Sequence, residues 1–118
     1  MEELPDILNG ITKPDLFEKF KLQLQKDFGN CSINSEFVNT LVADFDSILN
    51  SIGYEIEKLN KISPSKLTGL MYRIDINEAQ IKKMVNQKPD VEFNGIVAEL
   101  IIKRELQKII IKEHFKSK

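Results

Sequence analysis

Apolar side chains recur along this chain at intervals of three and four residues, the spacing that places them on one face of an α-helix. Phe17, Phe20, Leu24 and Phe28 form the first stripe. Thr12 is a suitable N-cap for it, Pro14 is tolerated in the first turn, and Gly29-Asn30 supplies left-handed-tolerant residues to close it near Phe28. The second stripe is longer. Val38, Leu41, Phe45, Ile48, Ile52 and Leu59 alternate by threes and fours, broken at Glu55, and Phe37, Val42, Leu49 and Ile56 widen the face. With Asn34 or Ser35 as cap, this pattern predicts one helix over 35–60, roughly 39 Å long, with Gly53 as the place for a bend.

Ser63-Pro64 opens a third, short helix that carries Leu67, Leu70, Met71 and Ile74. Asp75-Ile76-Asn77 reads as a tight connection, and Asn77 with Gln80 has the capping-box spacing that starts a fourth helix over about 78–87, ending before Pro89. A fifth begins near Asp90 and reaches about Phe115. Its apolar positions change face: Val97, Leu100 and Ile101 lie on one side near its start, Ile102, Leu106, Ile109 and Ile110 on another toward its end. A helix apolar over so much of its circumference is either central to its bundle or shared with a second subunit. Residues 108–111 also admit a β-segment, because β-branched runs favour strands.

These elements predict an all-α fold, a compact bundle of about five helices with the second and fifth longest. Residues 1–118 form a single domain whose first 11 residues are an irregular arm anchored by Leu4, Ile7, Leu8 and Ile11. Composition agrees: 42% apolar and 30% charged residues over 118 positions are ordinary globular values, and such a chain needs no disulfide or structural metal. Cys31 is the single cysteine and reads as a structural thiol of a reducing compartment. The acidic start, Met1-Glu2-Glu3-Leu4-Pro5-Asp6, lacks the basic and apolar regions of a signal peptide, and no run is long enough to span a membrane. The expected location is the cytoplasm, with no membrane partner.

The residues that catalysis requires are sparse. One histidine, His114, cannot build the Glu-x-x-His pairs of a di-metal bundle or serve a serine or cysteine triad from the last turn. Asp44/Asp46 and Glu55/Glu57 are spaced by two, which points them to different sides of a helix. The glycines at 10, 29, 53, 69 and 95 stand alone, so no loop cradles a phosphate, and Gly69 reads as a point of close helix packing. No catalytic, metal-binding or cofactor-binding residue is assigned, no cofactor is expected, and the chain is not expected to be an enzyme.

Charge is distributed unevenly. Net charge is −1, yet residues 1–60 carry eleven acidic and five basic side chains, and residues 61–118 seven and twelve. The simplest reading is that the two halves attract within one fold. Lys108, Lys112 and Lys116 recur at four-residue spacing and make a basic ridge on the last helix. They are the candidate contacts for an anion or a partner, together with Arg73, one of two arginines. Asp75 is placed as a cap for the fourth helix and an ion-pair partner for Arg73 or a lysine. Ile102, Leu106, Ile109 and Ile110 are the candidate interface. The function these features favour is a protein–protein interaction module, homodimeric through its last helix. The alternative is a nucleic-acid binder using the basic ridge for phosphate contacts.

Leu4-Pro5-Asp6-Ile7-Leu8 with Ile11-Thr12-Lys13, then Tyr72-Arg73-Ile74-Asp75-Ile76, then the run from Glu99 through Lys108 look like small uncharacterised helical proteins of Bacteroidetes bacteria. The resemblance implies a cytoplasmic protein of unknown function and brings no catalytic residue or ligand with it.

Overall fold

The computed structural model describes residues 13–116, with side chains through residue 112. The N-terminal arm, the Thr12 cap and the side chains of His114 and Lys116 lie outside the described residues. Helix α1 spans Pro14–Asn30, with Pro14 in its first turn, where the missing N–H costs nothing. Its preceding residue, Lys13, offers no side-chain cap. Gly29 and Asn30 are helical, so they do not end α1. The left-handed residue is Ser32, at φ 59°, and the amides of Ser32 and Ile33 turn back to the carbonyls of Gly29 and Phe28.

The expected helix over 35–60 is divided, and not at Gly53. A 3-10 turn spans Glu36–Thr40, opened by Asn34 Oδ1 accepting from the amide of Glu36 at 2.8 Å. Leu41 is then extended, and helix α2 runs Phe45–Ile62. Asp44 caps it by accepting from the amide of Ser47 at 2.9 Å. Gly53 lies inside α2 opposite Ala98, where a Cβ would stand at an ordinary contact distance of 4.0 Å, so the packing there does not require a glycine. Helix α3 (Pro64–Ile74) ends on Asp75 in the left-handed conformation. Gly69, on the exposed side of α3, faces open space rather than a packed helix. Helix α4 (Glu78–Gln87) begins with the full capping box of Asn77 and Gln80.

Helix α5, Phe93–Lys116, is the axis of the bundle and is helical through 108–111, which excludes a strand there. Every residue from Ile96 to Ile102 is buried, and α1, α2, α3 and α4 all pack on it. Its opposite apolar faces meet different helices of the same chain. The buried apolar side chains form one cluster, with Phe20, Leu24 and Phe28 of α1, Ile48, Ile52 and Ile56 of α2, and Leu67, Leu70 and Ile74 of α3 packed around α5. Ile102, Leu106 and Ile109 belong to this core, so the expectation that they form an exposed interface is corrected: the girth of α5 is covered by its own bundle. Of that set Ile110 alone is half-buried. Among the described residues no helix is long and apolar enough to cross a membrane.

Candidate functional site: a basic depression around Asp27

Two acids sit inside this core at positions dictated by helical spacing. Asp27 follows Leu24 by three residues and immediately precedes Phe28, so α1 carries it to the edge of its apolar face. Glu105 follows Ile102 by three and Ile101 by four, which brings it inward from α5. Asp27 is 1% exposed and Glu105 0%. The two carboxyls face each other across the α1–α5 contact.

Asp27 is densely partnered. Arg73 Nε, from the last turn of α3, donates to Oδ1 at 2.9 Å. Lys108 Nζ donates to Oδ2 at 3.1 Å, and Gln23 Nε2 donates to the same oxygen at 3.2 Å. Burial alone would raise the Asp27 pKa. Hydrogen bonds from Glu105, Gln23 and Lys108, with the charge of Lys108, outweigh that and hold the carboxyl below its ordinary value. Glu105 goes the other way. Burial raises its pKa, the hydrogen bond and charge of Asp27 raise it further, and Lys108 only partly opposes them, so it reaches about 9. As an ionised group Glu105 would have both oxygens buried with no hydrogen-bond donor, and Lys108 Nζ stands 3.7 Å away. As a neutral acid it keeps its proton and donates a hydrogen bond to Asp27, and the pair holds one negative charge between two carboxyls.

Above the pair lies an open depression of about 410 Å³ lined by Gln23, Lys26, Asp27, Arg73, Lys108, Ile111 and Lys112. The structure therefore brings together Arg73, Lys108 and Lys112, three of the residues marked by the sequence as possible anion contacts. Arg73 and Asp75 do not pair, contrary to expectation. Asp75 binds Arg104 Nη2 at 3.1 Å, and Arg73 turns to α1. Lys26 joins the site unannounced, because it belongs to the acidic half of the sequence. Lys112 Nζ donates to Gln23 Oε1 at 2.9 Å. Asp27 with Lys108 is also the attraction between the acidic and basic halves that the charge distribution suggested.

A second, more apolar groove of about 210 Å³ runs past Ile33, Leu59 and Ile62 where α2 meets α3. Its lysines are engaged within the chain, Lys58 with Glu55 at 3.2 Å and Lys66 with the carbonyl of Ser32 at 3.0 Å. The depression at Asp27 differs in having cationic groups to spare. Comparison of the chain with protein-family models, with curated proteins and with solved structures gave no match.

Proposed function

We propose that this protein is a non-catalytic interaction module that receives an anionic group of a protein partner in the basic depression formed by α1, α3 and α5. One observation carries the reading: four cationic side chains from three helices open onto a single depression whose lining contains one carboxylate, Asp27. Glu105 adds no charge there while it holds its proton. The surplus of positive charge attracts acidic groups and speeds their encounter. Binding is favoured over catalysis because Glu105, the one carboxyl with a raised pKa among the described residues, is sealed behind Asp27 and is not part of the lining. Asp27 itself is saturated by its partners and has no role left for a reacting proton.

Fluorescence anisotropy with a labelled oligoglutamate peptide tests this. The expected result is binding at low ionic strength that weakens as salt rises, and that is lost in the Lys26→Glu/Lys112→Glu double variant, both positions being exposed. No binding of this peptide or of a phosphoserine peptide at low salt, or equal binding by the double variant, overturns the proposal. A labelled DNA duplex run in parallel addresses the alternative: tighter binding of DNA than of the peptide, with a steep salt dependence, would favour nucleic acid.

A further inference from the structure

We infer that the group held in the depression is the dianion of a phosphate monoester rather than a carboxylate; this rests on the reading that the depression receives an anionic group. The donors decide it. Arg73 commits only Nε to Asp27, and that bond fixes the plane of the guanidinium. Its two terminal nitrogens, Nη1 and Nη2, have no hydrogen-bond partner among the described residues, and neither has Lys26. The Arg73 side chain is 36% exposed, so this fork is accessible at the rim. Lys112 and Lys108 reach the depression from α5 and Lys26 reaches it from α1. A planar carboxylate has two oxygens and one charge. A phosphoryl group presents three terminal oxygens toward different directions and nearly two charges, and it suits a guanidinium fork flanked by separate ammonium groups.

The rest of the lining fits an ester better than a free ion. Ile111 is 53% exposed at the edge of the depression, an apolar surface beside the cations on which the organic substituent can lie. Asp27 is the positioning residue. It holds Arg73 Nε and Lys108 Nζ in place and, with its charge already matched by them, adds little repulsion toward an incoming anion. The charged groups that line the site are Lys26 and Asp27 from α1, Arg73 from α3, and Lys108 and Lys112 from α5, with Glu105 buried behind Asp27.

Isothermal titration of the full chain with inorganic phosphate, phenyl phosphate and O-phosphoserine, beside acetate and oligoglutamate, tests the inference. Phenyl phosphate is expected to bind more tightly than inorganic phosphate, and acetate not at all. Affinity should rise between pH 5 and 7.5 as the ester's second ionisation, near pH 6, is completed. Lys26→Ala and Arg73→Lys should each weaken phenyl phosphate roughly tenfold, the loss of one charge-assisted contact. Lys26 is exposed, so its variant folds whatever becomes of Arg73→Lys. A phosphoserine peptide that binds more tightly than O-phosphoserine places the ester on a protein partner, and equal affinities place it on a small molecule. Binding of oligoglutamate without binding of any phosphate ester overturns this inference and leaves the proposed function standing. Binding of neither removes both, and unchanged phenyl phosphate affinity in Lys26→Ala removes the site as drawn.

Discussion

Glu99 and Glu105 lie six residues apart on α5, both inside the bundle, and their protons behave oppositely. Burial favours the neutral form of each. At Glu99 it is outweighed by hydrogen bonds and charge from Lys88, at 2.8 and 2.9 Å from the two carboxylate oxygens, and from Lys103 at 3.0 Å. Glu99 is held below the ordinary carboxylate value as a result. At Glu105 the neighbour that adds to burial is another carboxylate, Asp27. Asp27 draws Lys108 Nζ to 3.1 Å, whereas Glu105 gets no closer to it than 3.7 Å. Burial pushes both acids toward the neutral form, and the sign of the neighbours decides whether that push is reversed, as at Glu99, or reinforced, as at Glu105. One helix thus holds an anion that ties down the α4–α5 connection through Lys88 and a neutral acid that supports the α1 side.

The largest expected effect follows from Glu105. Its native pKa of about 9 exceeds the ordinary 4.5, so its contribution to stability is complete below about pH 4.5 and is lost as pH rises toward 9. A slope of about 1.4 kcal/mol per pH unit amounts to about 4 kcal/mol between pH 5 and 8. Urea unfolding of the protein should show this decline, and Glu105→Gln, which stays neutral, should remove it. A parallel pH dependence of the two proteins would mean that Glu105 is ionised, and the contrast with Glu99 would be gone.

Asp27→Ala comes next. It leaves Arg73 without its carboxylate and Lys108 with only Glu105 at 3.7 Å, and breaking a buried pair costs about 3 kcal/mol. It should also lower the Glu105 pKa, since burial remains but the added push from Asp27 is removed. Carboxyl-carbon NMR follows that titration directly. If Glu105 still holds its proton above pH 8 in this variant, burial alone is responsible and the role given to Asp27 is wrong.

How far these sites could be read from the sequence depends on how local their causes are. The boundaries of α4 were legible because the Asn77–Gln80 box is a contact across three residues. The break before α2 was not. Val38, Leu41 and Phe45 keep helical spacing through it, because a 3-10 turn followed by extended residues also returns each of them to the core side. The discriminating signal was Asp44 with the amide of Ser47, a cap hidden inside an apolar stripe. Arg73, Lys108 and Lys112 could be marked as cations, but their convergence could not, since Asp27 is 46 residues from Arg73 and 81 from Lys108. In the sequence Glu105 lies among the cations Lys103, Arg104 and Lys108. Its spacing from Ile101 and Ile102 already placed it on the core face, and an acid at a core position was the one local mark of the site.

The smallest effect belongs to Glu99, and its direction with pH is the sharpest check on the comparison. Its pKa is lowered, so its contribution is present above the ordinary carboxylate value and is lost as pH falls through the native one. Glu99→Gln should therefore destabilise at pH 7 and match the parent once pH has fallen through the lowered native value. The expected cost at pH 7 is about 2 kcal/mol, set by the two lysines left behind. Lys88, with 43% of its side chain exposed, can turn to solvent, whereas Lys103, at 13%, cannot do so without withdrawing from α5's neighbours. Lys103→Ala together with Glu99→Gln should then be less harmful than Glu99→Gln alone, and adding Lys88→Ala should change little. Should the penalty of Glu99→Gln grow toward low pH, Glu99 would be a second proton-holding acid, and the two ends of α5 would obey the same rule after all.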